Sequence, residues 1–94
     1  YINLCETKSN EFFDIAQHEY QENNYASAIE YCNRAIDFYH NSPQIAKLKA
    51  MSYEKELNYR GAVKYYQQYL ALNPNAADRA DIMKRIEKMR PKSN

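Results

Sequence analysis

Tyr25-Ala26-Ser27-Ala28-Ile29 and Tyr59-Arg60-Gly61-Ala62-Val63 stand 34 positions apart and carry one pattern: an aromatic, two variable residues, an alanine and a β-branched residue. The same shift of 34 aligns the chain with itself without gaps. Ala16 falls on Ala50, Tyr31 on Tyr65, Cys32 on Tyr66, Ile36 on Leu70 and Phe38 on Leu72. With the pairs Tyr25/Tyr59, Ala28/Ala62 and Ile29/Val63 that makes eight, of which four are identities and four keep an apolar or aromatic residue. A fixed period of roughly 20–50 residues is the mark of stacked units, each burying its apolar face against a neighbour.

Within each unit the apolar spacing is helical. One stripe runs Tyr25, Ala28, Ile29, Cys32, Ala35, Ile36, Tyr39 and its counterpart runs Tyr59, Ala62, Val63, Tyr66, Tyr69, Leu70, both stepping by threes and fours. Asn24 and Asn58 are placed to cap the second helix of each unit, and Ser42-Pro43 reads as an N-cap followed by proline in the first turn. Pro74, after Leu72-Asn73, stops a helix. The pattern predicts helices over 7–22, 25–39, 43–57, 59–72 and 76–90. Their connections are short, so consecutive helices should run antiparallel. With one glycine and three prolines in the chain, tight hairpin turns have little to be built from, and the fold class is all-α.

These residues resemble the tetratricopeptide repeat, a helix–turn–helix unit of 34 residues, over positions 9–76. Ala16 and Ala50 look like the family's small residue of the first helix. The two quoted stretches look like the opening of the second helix, and Leu72-Asn73-Pro74 like the closing signature. The resemblance implies a fragment of an α-solenoid: unit 1 over 9–42, unit 2 over 43–76, and a capping helix and tail over 77–94. Ala16, Tyr25, Ala28, Ala50, Tyr59 and Ala62 would be its repeat-packing residues. The family exposes its first helices along a concave face that binds peptides or partner helices. By that resemblance Asn10, Phe13, Gln17 and Tyr20 of unit 1, and Gln44, Lys47, Met51 and Glu54 of unit 2, are the candidate partner-binding residues. Some positions depart from the family pattern. Glu19 stands where an aromatic is usual (Tyr53 supplies it in unit 2), Tyr69 replaces the small residue that Ala35 keeps, and His40 stands at the first unit's closing proline. One branch of the family clamps the C-terminal carboxylates of heat-shock chaperones with Lys and Asn on the first helix. Phe13 and Gln17 occupy those positions, so that ligand is not implied.

The two ends read differently. Tyr1-Ile2-Asn3-Leu4 aligns with Ala35-Ile36-Asp37-Phe38 and with Tyr69-Leu70-Ala71-Leu72, so residues 1–8 read as the tail of a preceding repeat. In the last helix Ile82, Met83, Ile86 and Met89 form the apolar stripe, and Asp78 and Asp81 suit its N-terminal dipole end. Lys84 stands where Ala16 and Ala50 stand. A lysine does not fit a close helix contact, so this helix is expected to be a cap with a polar back.

Elsewhere the chain offers little to chemistry. The net charge of +1 divides into −5 over residues 1–42 (two basic, seven acidic) and +6 over 43–94 (eleven basic, five acidic). Such a split can orient a partner. Cys5 and Cys32 have neither metal-ligand spacing nor the number for a disulfide framework, and Cys32 lies in an apolar stripe. That usage suits a reducing intracellular compartment. His18 and His40 are 22 residues apart with no Cys or His at i+3 or i+4 of either, and Gly61 is the lone glycine, so neither a metal site nor a phosphate loop is expected. No stretch reaches the length of a membrane span. The reading is a non-catalytic scaffold without cofactor whose partner is another protein or peptide, or further repeats of the same chain. The alternatives are an anionic surface or nucleic acid held by Arg79, Lys84, Arg85, Lys88, Arg90 and Lys92, or self-association through repeat ends.

Overall fold

The computed structural model describes residues 4–38 and 42–93, with side chains over 7–38 and 42–91. Five α-helices follow one another: α1 (Leu4–Gln21), α2 (Tyr25–Phe38), α3 (Pro43–Lys55), α4 (Tyr59–Leu72) and α5 (Arg79–Met89), closed by a 3-10 turn over Arg90–Ser93. There is no strand among the described residues. α1 packs on α2 and α3 on α4, while α2 meets α3, α4 meets α5, and α1 runs beside α3. The result is two helix pairs and a fifth helix laid on the second pair. Tyr39, the expected end of the second helix, and Tyr1–Asn3, assigned to a preceding repeat, lie outside the described residues. α1 begins at Leu4, so Leu4–Lys8 form part of that helix.

The helix starts follow the cap residues. Ser42 accepts a hydrogen bond from Ile45 N at 3.4 Å with Pro43 behind it, and Asn58 accepts from Gly61 N at 3.2 Å. Each satisfies an amide that the first turn leaves without a helical partner.

The turns inside the two pairs are copies of one another. Asn24 N donates to Glu19 O and Asn23 N to Tyr20 O; Asn58 N donates to Tyr53 O and Leu57 N to Glu54 O. This bonding is the Schellman motif, which needs a left-handed residue just past the helix. Asn23 (φ 66°) and Leu57 (φ 63°) fill that place. Asparagine adopts this conformation readily, whereas leucine is strained there and gains little from packing, being 69% exposed. The left-handed turn is why α3 stops at Lys55 and not at the expected residue 57.

Packing follows the period. Ala16, Ala28, Ala50 and Ala62 are each 0% exposed, and Tyr25 and Tyr59 are half-buried at the start of the second helices. One cluster joins Ala16, Cys32 and Ala35 to Ile45 and Leu48 of α3. A second joins Ala50, Ala62, Val63, Tyr66 and Tyr69 to Ile82, Ile86 and Met89 of α5. Gly61 marks a close approach of α4 to α3: a Cβ there would lie 3.0 Å from Cγ of Tyr53. The Tyr53 ring stacks on Tyr65 at 5.6 Å, and the Lys49 ammonium sits 4.0 Å from the Tyr65 centroid. Lys49, only 6% exposed, is the one buried cation among the described side chains. The ring face takes the place of a counter-ion.

Two expectations for the last helix are corrected. It begins at Arg79 and not at residue 76, because Ala76 N bonds Asn73 O and Arg79 N bonds Ala76 O in successive turns after Pro74. Met83, assigned to its apolar stripe, is 43% exposed; Ile82, Ile86 and Met89 are the residues of α5 buried in the core. Lys84 is exposed.

The strained turn gives a direct test. Leu57→Asn should raise stability by about 1 kcal/mol in urea unfolding, since it relieves a left-handed leucine and removes little packing. A loss of stability would contradict the turn geometry.

Candidate functional site

Side chains of α1, α3 and α5 line a row of neighbouring hollows. Between α1 and α3 lies an open cavity of about 350 Å³ lined by Phe13, Gln17, Pro43, Gln44, Lys47, Leu48, Met51, Tyr69 and Asn73. Five of the eight candidate partner-binding residues therefore come together: Phe13, Gln17, Gln44, Lys47 and Met51. Lys47 and Met51 also line the next hollow, about 260 Å³, with Tyr66, Asp78, Asp81, Ile82 and Arg85. Tyr20 and Glu54 lie apart from the first group, in a third hollow with Lys55, Leu57, Tyr59 and Arg85. Asn10 is exposed on α1 and lines none of these three.

The two apolar candidates serve the core as well. Phe13 is half-buried against the Ala16–Cys32–Leu48 cluster, and Met51 against the cluster of unit 2. Each also presents part of its surface to the groove. Tyr20 stands edge-on to Tyr25 at 5.4 Å, which fixes its ring at the end of α1.

Lys47 and Glu54 are engaged within the chain. Lys47 Nζ donates to Oδ2 of Asp78, and Tyr69 OH donates to Oδ1 of the same carboxylate at 2.8 Å. Lys47, foremost, and Tyr69 hold the Asp78 carboxyl below its ordinary value. Asp78 is the N-cap residue of α5, at the dipole end expected of it, but its carboxylate reaches across to α3 and makes no side-chain cap. Seven residues further along α3, about two helical turns, Tyr66 OH donates to Oε1 of Glu54 at 2.7 Å, and Arg85 Nη1 pairs with the same oxygen at 3.2 Å. Burial, reinforced by the bond to Glu54, pushes the Tyr66 phenol well up. These ties span equal lengths of chain, Lys47 to Asp78 and Glu54 to Arg85 both being 31 residues. Opposite charges at one long spacing, slightly under the repeat length, are the signal by which Asp78, Arg85 and their tyrosines could have been found in the sequence.

The basic surface considered as an alternative is partly spent. Arg85 serves Glu54, and Arg79 donates to the carbonyl of Pro74 at 2.9 Å. The Lys92 side chain lies outside the described ones. Burial pushes the Cys32 thiol up to about 12, so it is an inert apolar group. Among the described residues no cluster of His, Cys, Asp or Glu could hold a metal ion, and no helix is long and apolar enough to cross a membrane.

The family model described as tetratricopeptide repeat matches residues 16–87, which covers the end of α1, all of α2, α3 and α4, and most of α5. No curated protein matches the chain.

The ties between α3 and the last helix carry two predictions. Tyr66→Phe removes a buried hydroxyl donor and leaves Glu54 short of a partner, and should cost about 1–3 kcal/mol in chemical unfolding. A cost under about 0.5 kcal/mol would contradict the network. Asp78 has a lowered folded value, so its contribution is complete above its ordinary 3.8 and disappears as pH falls through the lower one. Asp78→Asn should therefore lose less stability than the parent chain below that pH; identical acid limbs would contradict the pairing.

Proposed function

We propose, on the premise that this chain belongs to the tetratricopeptide-repeat family, that it is a protein-interaction module whose partner lies in the groove between α1 and α3. Repeats of this family generally mediate protein–protein interaction and are typically non-catalytic scaffolds. The observation that carries the finer reading is convergence. Phe13, Gln17, Gln44, Lys47 and Met51 come from two helices and line one hollow, which combines an apolar floor with a polar rim. Asn10, Tyr20 and Glu54 would extend the contact along the flanks, Glu54 through the surface it shares with Arg85.

The shape suits a narrow ligand. A groove running across successive helices offers contact along its length, as an extended segment needs. Packing holds both of its walls. α1 and α3 are each tied to a second helix through fully buried alanines, so little ordering need accompany binding.

The test uses a partner isolated by affinity capture and titrated calorimetrically. Gln17→Arg places a bulky charge in the groove without touching the core, and should weaken binding about tenfold or more. Gln68→Arg, on the exposed outer side of α4, should leave affinity within about twofold. Far-UV circular dichroism should show the same helical signal for both. Equal losses for the two variants, or none for Gln17→Arg, would reject the groove.

A further inference from the structure

Charge is nearly absent from the α1–α3 groove. Of its lining residues only Lys47 carries a charge, and that ammonium is already matched by the Asp78 carboxylate. The remaining polar groups are three side-chain amides and a phenol: Gln17, Gln44, Asn73 and Tyr69. The Tyr69 hydroxyl is also committed to Asp78. What is left to a ligand is an apolar floor of Phe13, Leu48 and Met51, the amide of Gln17, and the remaining donor and acceptor capacity of Gln44, whose Oε1 accepts from Ser42 Oγ at 3.1 Å, and of Asn73, which bonds the Tyr69 side chain. An amide donates and accepts at once, which matches the N–H and C=O of a peptide main chain and discriminates poorly between ions.

We infer that the groove selects an extended, uncharged peptide segment with one bulky apolar side chain. That side chain would seat on Phe13, Leu48 and Met51 while the main chain bonds the amides of Gln17, Gln44 and Asn73. The inference rests on the groove reading above and goes beyond it by naming the ligand chemistry. An acidic ligand finds the only cation satisfied, and reaching it means displacing Asp78 from both Lys47 and Tyr69. A basic ligand meets that same cation with no free carboxylate among the lining residues. Asp78 thus acts as a built-in stand-in for a ligand carboxylate, and its presence sets the selectivity against acidic peptides.

The selectivity is read with three pools of short synthetic peptides, each with a central leucine or phenylalanine and flanked by Gln/Asn/Ser, by Glu or by Lys. Fluorescence titration of the 94-residue chain should favour the neutral pool by about tenfold. That affinity should change less than about twofold between about 50 and about 500 mM salt, since no ion pair forms. Gln17→Arg should abolish it. Asp78→Asn frees Lys47 and should raise affinity for the Glu pool about tenfold, while the neutral pool keeps its own. Tighter binding of the Glu or Lys pool by the parent chain, abolished by Gln17→Arg, would overturn the inference and leave the groove reading standing. Binding of any pool that Gln17→Arg leaves unchanged would overturn both, as would no binding by any pool.

Discussion

Four alanine side chains, at 16, 28, 50 and 62, set the distance between the helices of each pair. With no solvent exposure and no room to yield, these methyl groups let the backbones approach closely enough for larger neighbours to close around them. Everything else in the chain is arranged around that approach. Ile45 and Leu48 of α3 reach Cys32 and Ala35 in the gap between units, and Ile82, Ile86 and Met89 of α5 do the same for unit 2. Because the same contact recurs at one period, α1, α3 and α5 come to lie side by side. That alignment turns residues distant in sequence into a single surface.

The last helix differs from α1 and α3: its alanine position is held by Lys84, which is exposed. Its inner face is apolar, its outer face charged, and two ionic ties join it and the turn before it to α3. Half-exposed ties of this kind add little net stability, because water screens them and ordering the long side chains is costly. They matter more for where charge is left on the groove. Lys47 and Glu54 have partners of their own, and the surface that remains is chiefly apolar and amide.

How much of this could be read from residues alone divides by the kind of force involved. The alanine period, the Ser42 and Asn58 caps and the stop at Pro74 are local chemistry or strict repetition, and each leaves a mark in the sequence. The buried Lys49 leaves none, since only the juxtaposed Tyr65 ring makes burial of an ammonium tolerable there. The left-handed Leu57 is concealed by its residue type; only its register with Asn23 hints at the conformation. Met83 fits a helical stripe arithmetically and still lies outside the contact, because a helix packed on one side buries a narrower face than the rule allows. Of the groove, the residues on α1 and α3 could be placed by resemblance. Tyr69 and Asn73 come from the far end of α4, and Asp78 reaches Lys47 only through the turn that follows it. Phe13 and Met51 are divided between core and groove, a partition that periodicity does not resolve.

The alanine contact is the claim on which the rest depends, and it is tested by urea unfolding of Ala62→Leu beside Lys84→Ala, with helical content followed by circular dichroism. A leucine at 62 must force α3 and α4 apart, which predicts a loss of about 1–3 kcal/mol. Removing the lysine side chain from the exposed equivalent position predicts a change below about 0.5 kcal/mol. A tolerated leucine at 62 together with a costly Lys84→Ala would contradict the packing register and, with it, the alignment of α1, α3 and α5.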